Sequence, residues 1–289
     1  MIKSSELIIN ADGSIFHLHL KPEQIADNII LVGDPGRVEL ISSLLTDIEF
    51  QVSNREFVST TGKYNNQRIT IVSTGIGTDN IDIVVNELDA LANINLTTRE
   101  INPVHRKLNF VRIGTSGGLQ DYLPVNSFVI SQKAIGFDGL LNFYANRDSV
   151  SDLPFEDAFR KHTGWGKQQT SPYVIDCSEL LFTKMHKDDT IAGVTISAPG
   201  FYGPQGRVLR LPLADPLLNE KVESFTYNGH KITNFEMECS AIYGLSKLLG
   251  HEALTICLII ANRVKKDANA DYHQSMETLI TTVLERLTS

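Results

Sequence analysis

The stretch Asn234-Phe235-Glu236-Met237-Glu238-Cys239-Ser240-Ala241 marks the point at which a predicted strand passes into a predicted helix. The apolar run 231–235 before it is typical of a strand, and Gly250 predicts the end of the helix. Four residues recur at the spacing of one buried helix face: Met237, Ala241, Leu245 and Leu248. Glu236 and Glu238 therefore lie at a strand-to-helix junction, where α/β sheets usually place their ligands. Taken alone, this stretch favours the simpler interpretation that the two acids stabilise the helix dipole.

Apolar runs typical of buried strands alternate with stretches of helical periodicity along the rest of the chain. The predicted strands cover residues 29–32, 68–74, 108–113, 128–134, 191–197 and 253–260. A closing helix is predicted over 271–287. Continuous apolar strands between helices indicate a sheet covered on both faces. Because there is neither an internal repeat nor a low-complexity linker, we expect an α/β fold in a single domain over residues 1–289.

Two segments lack this regular periodicity. Residues 92–107 are polar and contain Pro103, so we expect an excursion between a helix and a strand. Residues 141–172 mix glycines and charges around Trp165. That composition predicts a long surface loop or lid, and long loops in compact domains are often functional.

The composition argues against several classes of protein. A formal net charge of −8 without a run of Lys or Arg does not suit a nucleic-acid partner. Residues 1–10 lack the apolar core of a signal peptide, and no apolar run approaches the roughly 20 residues of a membrane span. Cys177, Cys239 and Cys257 are odd in number and widely spaced, which is typical of reduced thiols in a cytoplasmic protein. Since none forms Cys-x-x-Cys, we expect no bound metal.

Three predicted strands end in glycine-rich turns, at 33–37, 75–77 and 114–118. Glycine lets backbone N–H groups approach an anion, and the guanidinium groups of Arg37 and Arg112 would add donors that match phosphate oxygens. None of the turns fits the P-loop or the Gly-x-Gly-x-x-Gly dinucleotide pattern. The sequence therefore predicts an anion site without a nucleotide cofactor.

Residues 114–118 also match Gly-x-Ser-x-Gly, the nucleophile elbow of serine hydrolases. Asp267 and His273 follow Ser116 in the order that such enzymes use. However, no His-Gly-Gly stretch precedes the motif, and the nearby Arg112 suits an anion. A serine esterase is therefore the weaker hypothesis.

Five short motifs, taken together and in order, resemble those of the nucleoside phosphorylase family. They are residues 33–37, 55–57, 73–77, 112–117 and 235–238, and the similarity extends from Ile15 to about Arg286. The resemblance implies a three-layer α/β/α fold with a mixed central sheet. It also implies a phosphate loop at 33–37 and an arginine, Arg55, that serves a neighbouring subunit.

Within this family, the segment Phe201-Tyr202-Gly203-Pro204-Gln205-Gly206-Arg207 is similar to that of the uridine phosphorylases. Those proteins read the edge of uracil with a Gln and an Arg two residues apart, and an amide offers both the donor and the acceptor that this edge needs. Purine-cleaving relatives place an Asp where this chain has Asn262. An amide cannot donate a proton as an acid does, so uridine is favoured over a purine nucleoside.

The resemblance implies reversible phosphorolysis of uridine to uracil and ribose 1-phosphate in pyrimidine salvage, without a cofactor. The implied phosphate ligands are Gly33, Arg37, Arg112, Thr115 and, from another subunit, Arg55. The implied ribose ligands are Met237, Glu238 and, across the interface, His17. The implied base ligands are Phe201, Gln205, Arg207, Glu236 and Arg263. Residues expected to act in the chemical step are Arg37, Arg112, Glu238, Gln205 and Arg207.

Because Arg55 and His17 would each serve the site of a neighbouring subunit, we expect a homodimer. The sequence leaves open whether three such dimers assemble into a hexamer. Asn80 stands where bacterial relatives often carry a Ser beside an interfacial cation, so potassium binding is not expected. Gly206 replaces an acid common between the Gln and the Arg, and Ala261 replaces a usual Val, which would widen the base pocket. The remaining alternatives are a purine nucleoside phosphorylase, a nucleosidase that uses water, and a nucleoside-binding protein without activity.

Overall fold

The computed structural model describes residues 1–289 and contains fourteen strands and seven α-helices. The strands are β1 (Asn28–Val32), β2 (Thr46–Asn54), β3 (Phe57–Tyr64), β4 (Gln67–Ser73), β5 (Ile94–Asn95), β6 (Glu100–Ile101), β7 (Asn109–Gly118), β8 (Phe128–Gly136), β9 (Tyr173–Asp176), β10 (Thr190–Ser197), β11 (Thr226–Tyr227), β12 (His230–Glu236), β13 (Glu252–Asn262) and β14 (Asp267–Ala268). The helices are α1 (Pro35–Ser42), α2 (Thr78–Asn93), α3 (Leu153–Thr163), α4 (Glu179–Met185), α5 (Leu218–Ser224), α6 (Cys239–Leu249) and α7 (His273–Thr288). No helix has both the length and the apolar character needed to cross a membrane.

Twelve of the strands form one mixed sheet in the order β11-β12-β10-β8-β13-β7-β1-β4-β3-β2, with β14 and β9 attached to β13 and β8. In addition, β12 pairs antiparallel with β7, through Asn234 opposite Gly118 and Phe235 opposite Gly117. This second pairing closes β12, β10, β8, β13 and β7 into a ring. As a result, the acidic end of β12 lies beside the glycine-rich end of β7.

The sheet is buried on both faces, as the apolar strands predicted. On β1, Ile29 and Leu31 point into one cluster together with residues of α2 and α6. Ile30 and Val32 point the opposite way, into a cluster with residues of α1 and α7. Alternation along a strand sends successive side chains to opposite faces, so β1 lies between two helical layers. The predicted three-layer α/β/α fold with a mixed central sheet is confirmed.

The helix predicted after Glu238 is α6, and Gly250 ends it with a φ of 82°, which a residue without Cβ adopts without strain. The predicted single buried stripe is wrong in one respect. Residues 239–246 are buried all round, because α6 packs against both α2 and the sheet. Met237 precedes the helix and is only half-buried.

The long surface loop or lid predicted over 141–172 is wrong, because α3 occupies the middle of this segment. Asp152 caps α3 by accepting from the Phe155 backbone N–H at 3.1 Å. Phe155 and Phe159 are buried, with ring centroids 5.4 Å and 5.3 Å from that of Phe225. Aromatic packing therefore docks the segment onto the protein. The excursion predicted over 92–107 is confirmed, and it carries the short hairpin of β5 and β6.

The end of the third predicted strand at residue 113 is also wrong. Strand β7 continues through the glycine-rich motif to Gly118, since residues 115–118 pair with β13 and the last two also pair with β12. The motif is therefore part of the sheet, and it does not form a turn between a strand and a helix.

Candidate active site

A cavity of about 700 Å³ lies where the carboxyl ends of β1, β4 and β12 meet β7. Most of the residues predicted from the sequence line this cavity: Gly33, Arg37, Arg112, Thr115, Phe201, Gln205, Arg207, Glu236, Met237 and Glu238. Three predicted ligands lie outside it: His17, Arg55 and Arg263. The chain thus gathers its sequence motifs around one space large enough for a small ligand.

Arg112 of β7 is 5% exposed and lies between two buried carboxylates. Its Nη2 donates to Glu238 Oε2, and its Nη1 lies 3.3 Å from Glu236 Oε2. Burial alone would lower the pKa of Arg112, but Glu238 and Glu236 outweigh that effect and raise it well above its usual range. The guanidinium is therefore a permanent cation, and its Nε has no partner within the chain.

Glu236 is held by four groups of the protein. Oε1 accepts from Ser197 Oγ at 2.5 Å, and Oε2 accepts from the backbone N–H groups of Glu238 and Cys239 at 2.9 Å each. Arg112 is the fourth group. Burial raises the pKa of Glu236, and the charge of Arg112 opposes this. Because Oε2 also satisfies donors at the start of α6, the expected interaction with the helix end is realised by Glu236.

Glu238 is bound on both oxygens but by fewer groups. Oε1 accepts from the backbone N–H of Gly77 at 2.7 Å, and Oε2 accepts from Arg112. Gly77 adopts a φ of 100°, a conformation that favours glycine, and it thereby directs its N–H toward the carboxylate. Since each carboxylate oxygen has two lone pairs, Glu238 keeps acceptor capacity for a ligand.

A second cation, Arg37, lies near Arg112 in the wall of the cavity. Arg37 lies in the first turn of α1, and its Nη1 donates to the Ile113 carbonyl at 3.3 Å. Burial lowers the pKa of Arg37, and the positive charge of Arg112 lowers it further. Thr115 is half-buried, and its hydroxyl has no hydrogen bond within the chain. Two neighbouring guanidinium groups would be stabilised by an anion between them.

The third side of the cavity is formed by the loop 201–207. Gln205 is 3% exposed, and its Oε1 accepts from Arg207 Nη1 at 2.6 Å. The Arg207 guanidinium also lies 3.7 Å from the centre of the Phe201 ring, a cation–π contact. Because Arg has only donors, the hydrogen bond from Arg207 Nη1 fixes the amide of Gln205 with Oε1 toward Arg207. The only side-chain hydrogen bond of Gln205 is the one through Oε1, so its Nε2 remains available as a donor to a ligand in the cavity.

Arg263 supports this loop from behind. Its Nη1 donates to the backbone carbonyl of Gln205, and its guanidinium lies 5.7 Å from the Phe235 ring centre. Burial, followed by the charge of Arg207, lowers the pKa of Arg263 to about 10. The expected direct contact of Arg263 with a base stays a prediction.

His17 and Arg55 lie near each other on a different part of the surface. The His17 ring packs edge-on against Phe16 with centroids 4.7 Å apart, and the Arg55 guanidinium lies 5.9 Å from the same Phe16 ring. Arg55 is exposed, has no ionic partner and adopts a φ of 55° at the β2–β3 turn. Left-handed backbone at a residue other than glycine is uncommon and is often found at functional sites.

Several lining residues were missed as ligands. Ser116 is buried, and its Oγ has no partner within the chain. The sequence hypothesis gave Ser116 a nucleophilic role, but it lies inside β7 opposite Ile259, and neither Asp267 nor His273 lines the cavity. The strand-to-helix elbow of a serine hydrolase is therefore not formed. Other missed lining residues are Asp34, Glu56, Ile76, Asn80 and Ile260, whereas Ala261 lines the cavity as expected.

Asn262 faces away from the cavity. Its Nδ2 donates to the carbonyls of Gln120 and Leu123 at 2.8 Å and 2.6 Å, and its Oδ1 accepts from the Lys265 N–H at 2.8 Å. The amide is thus committed to joining β13 to the loop after β7.

A cluster of Asp89, His105 and His251 brings three potential metal ligands within 4.8 Å of one another. However, the Leu108 N–H donates to His251 Nδ1 at 3.2 Å, so the proton of a neutral imidazole lies on Nε2. Nε2 in turn lies 3.0 Å from Asp89 Oδ1 and donates to it. Hydrogen bonding accounts for this cluster, and the tautomer opposes metal binding at His251 Nε2.

The chain belongs to the phosphorylase superfamily, whose family model matches residues 27–288. The resemblance to nucleoside phosphorylases is therefore confirmed. The chain is similar to the uridine phosphorylase of Thermococcus kodakarensis, with 29% identity over 91% of this chain and 83% of that protein. It is also similar to a DeoD-type purine nucleoside phosphorylase of Listeria welshimeri, with 25% identity over 84% of this chain and 85% of that protein.

Among solved structures, the chain is similar to a Trypanosoma brucei nucleoside phosphorylase whose structure is described as showing uridine phosphorylase activity. The TM-score is 0.88 and the identity 28%, over 97% of this chain and 99% of that chain.

Gly114→Ala should weaken phosphate binding by at least about tenfold, the loss expected when a charged hydrogen-bonding group is displaced. A Cβ at this position would lie 2.1 Å from Arg112 Nη1, so the guanidinium would have to move. Gly117→Ala is the matched control, because its Cβ would meet no heavy atom closer than 4.0 Å. Calorimetric titration with inorganic phosphate measures both, and equal affinities for the two variants would contradict the expectation.

Proposed function

We propose that the protein is a uridine phosphorylase, which transfers the ribosyl group of uridine to inorganic phosphate in cytoplasmic pyrimidine salvage. The observation that carries this proposal is the layout of the cavity. Two arginines, Arg37 and Arg112, form one end, and the oriented pair of Gln205 and Arg207 forms another. Glu238 and Met237 line the space that joins them.

The end with Arg37 and Arg112 binds the phosphate. A dianion offsets both the burial and the repulsion by Arg112 that lower the pKa of Arg37, and Thr115 supplies a hydroxyl donor. Gly33 leaves room for the anion to approach the backbone where β1 meets α1. Phosphate is held here as a nucleophile, with one oxygen free to reach the sugar.

The ribose occupies the middle of the cavity. Glu238 accepts hydrogen bonds from ribose hydroxyls, because Gly77 and Arg112 hold the carboxylate without using all of its lone pairs. Met237 packs against the sugar as an adaptable apolar surface. Glu236 is bound on both oxygens by the protein, so it acts mainly by holding Arg112 and the start of α6.

The uracil ring is read by the loop 201–207. Gln205 Nε2 donates to a carbonyl oxygen of the base, and Oε1 accepts from N3–H while it also accepts from Arg207. Arg207 places a positive charge where the leaving base becomes negative. Phe201 supplies an aromatic surface at the same end of the cavity.

The reaction needs no covalent enzyme intermediate. A phosphate oxygen forms a bond to ribose C1′ while the C1′–N1 bond breaks, and the electron pair of that bond remains on uracil N1. The uracil anion is stabilised by Arg207 and Gln205 and then takes a proton from water. The transition state resembles a ribosyl cation beside a bound anion, so catalysis rests on positioning and preorganised charge.

The site is shared between two copies of the chain in a homodimer, and such dimers can assemble further into a trimer of dimers. Support comes from His17 and Arg55, which lie on one surface outside the cavity of their own chain. A two-fold axis that brings this surface to a second cavity supplies both residues to each site. Arg55 would then complete the phosphate end, and His17 the ribose end.

The purine alternative is supported by the DeoD-type relative but has a weaker site. A purine leaving group is helped by a proton donor, and the chain offers no acid at Asn262. Its amide is instead bound to three backbone groups. Uridine is therefore the substrate that the site supports best.

Arg207→Ala should lower kcat/KM for uridine. The decrease should correspond to a loss of about 2–4 kcal/mol of transition-state stabilisation, as expected when a charge-stabilising donor is removed. Arg210→Ala is the matched control, since Arg210 is exposed just beyond this loop and its side chain makes no hydrogen bond or ion pair within the chain. Steady-state uracil release in the presence of phosphate measures both variants. Equal rates for Arg207→Ala and the parent protein would refute the role of Arg207.

Mixing two defective variants should restore activity if sites are shared. Arg55→Ala and Arg112→Ala homodimers each lack one arginine in both sites, whereas a hybrid dimer has one complete site. Random reassembly after mild denaturation should therefore give about a quarter of the parent activity. Activity that never exceeds the sum of the two separate variants would argue that Arg55 serves its own chain.

A further inference from the structure

The carboxylate of Glu87, on α2, lies against His17 outside the cavity. Glu87 Oε1 is 2.6 Å from His17 Nδ1 and also accepts from the His17 N–H at 3.0 Å. Its Oε2 accepts from the N–H groups of His17 and Leu18 at 3.1 Å and 2.9 Å. One side chain thus binds both the backbone and the ring of the same histidine.

This contact selects one form of the imidazole. A carboxylate only accepts hydrogen bonds, so His17 Nδ1 must carry a proton. In the neutral ring, Nε2 is then unprotonated and presents a lone pair. Nε2 makes no hydrogen bond within the chain, and the His17 side chain is 26% exposed.

The ring is also held in position by its surroundings. Phe16 and Phe57 pack edge-on against it, with centroids 4.7 Å and 6.4 Å away. Asn54 Nδ2 donates to the His17 carbonyl at 2.7 Å. Orientation and tautomer are therefore both fixed before any ligand or second subunit arrives, which reduces the entropy lost on binding.

We propose that Glu87 is a positioning residue for ribose binding. It holds His17 in the Nδ1–H tautomer, so that Nε2 accepts a hydrogen bond from a ribose hydroxyl in the cavity of a second copy of the chain. This inference rests on the proposed function and on the shared site. Anchoring the turn at residues 17–18 needs only the two backbone N–H groups, and the bond to Nδ1 is what the positioning role adds.

Glu87→Gln separates the two contacts. The amide oxygen can take the place of Oε2 and keep the backbone bonds to His17 and Leu18. The NH₂ group then faces Nδ1, which must become an acceptor, and Nε2 becomes a donor. The variant thus reverses the polarity of the ring atom offered to the ribose while it keeps the turn in place.

We expect Glu87→Gln to raise KM for uridine about three- to tenfold, the range for one neutral hydrogen bond, with kcat changed less than about twofold. Glu285→Gln is the matched control, because Glu285 is exposed on α7 and its carboxylate makes no hydrogen bond or ion pair within the chain. Thermal unfolding and light scattering establish that both variants remain folded and dimeric. A KM equal to that of the parent protein would overturn the proposal.

Deoxy substrates distinguish positioning from a general structural effect. The comparison uses 2′-, 3′- and 5′-deoxyuridine with the parent protein and Glu87→Gln. The increase in KM caused by Glu87→Gln should disappear for the one analogue that lacks the hydroxyl bound by His17 Nε2. A penalty of the same size for all three analogues would show that Glu87 only stabilises the fold, and would overturn the proposal.

A spectroscopic test needs no active variant. With ¹⁵N-labelled histidine at about pH 8, the His17 resonance, assigned by its loss in His17→Ala, should show a protonated Nδ1 and an unprotonated Nε2. The opposite tautomer would overturn the inference even if Glu87→Gln failed to fold. If the parent protein released no uracil from uridine with phosphate, the proposed function itself would fail, and that result is separate from the tautomer.

Discussion

The buried guanidinium of Arg112 between Glu236 and Glu238 is the interaction on which the rest of the site depends. Removing one member of a buried ion pair typically costs about 3–5 kcal/mol, because it leaves an uncompensated charge. The arrangement exists because β12 pairs with β7 as well as with β10, which brings the acidic end of β12 to the glycine-rich end of β7. The pairing that closes the sheet is therefore the same feature that places the two carboxylates beside Arg112.

This cluster divides the work between two similar acids. Glu236 binds the start of α6, Ser197 and Arg112, so it fixes the geometry of the junction. Glu238 is held by Gly77 and Arg112 and keeps lone pairs that face the cavity. Arg112 then acts with Arg37 as one of two cations whose mutual repulsion an anion relieves. Preorganised charge of this kind costs no rearrangement during a reaction, which is how a site without a covalent nucleophile can be effective.

Local sequence patterns predicted what depends on local physics. Apolar runs predicted the buried strands, and Gly250 predicted the end of α6, because periodicity and positive φ are properties of neighbouring residues. The continuation of β7 to Gly118 was not predictable, since it depends on pairing with β12 more than a hundred residues later. The docking of α3 was missed because polar and glycine residues around it hid the buried pair Phe155 and Phe159. The order of the motifs predicted most of the residues that line the cavity. The weaker esterase hypothesis for Ser116 is wrong, because its pattern matches a hydrolase turn that pairing with β13 excludes.

The most direct measurement of the central claim is base release from uridine and from inosine, each with and without inorganic phosphate, followed by ultraviolet absorbance. The layout of two arginines opposite Gln205 and Arg207 predicts uracil release from uridine that requires phosphate and yields one ribose 1-phosphate per uracil. Inosine should react far more slowly. Uracil release without phosphate, or inosine cleavage at a comparable rate, would contradict the account.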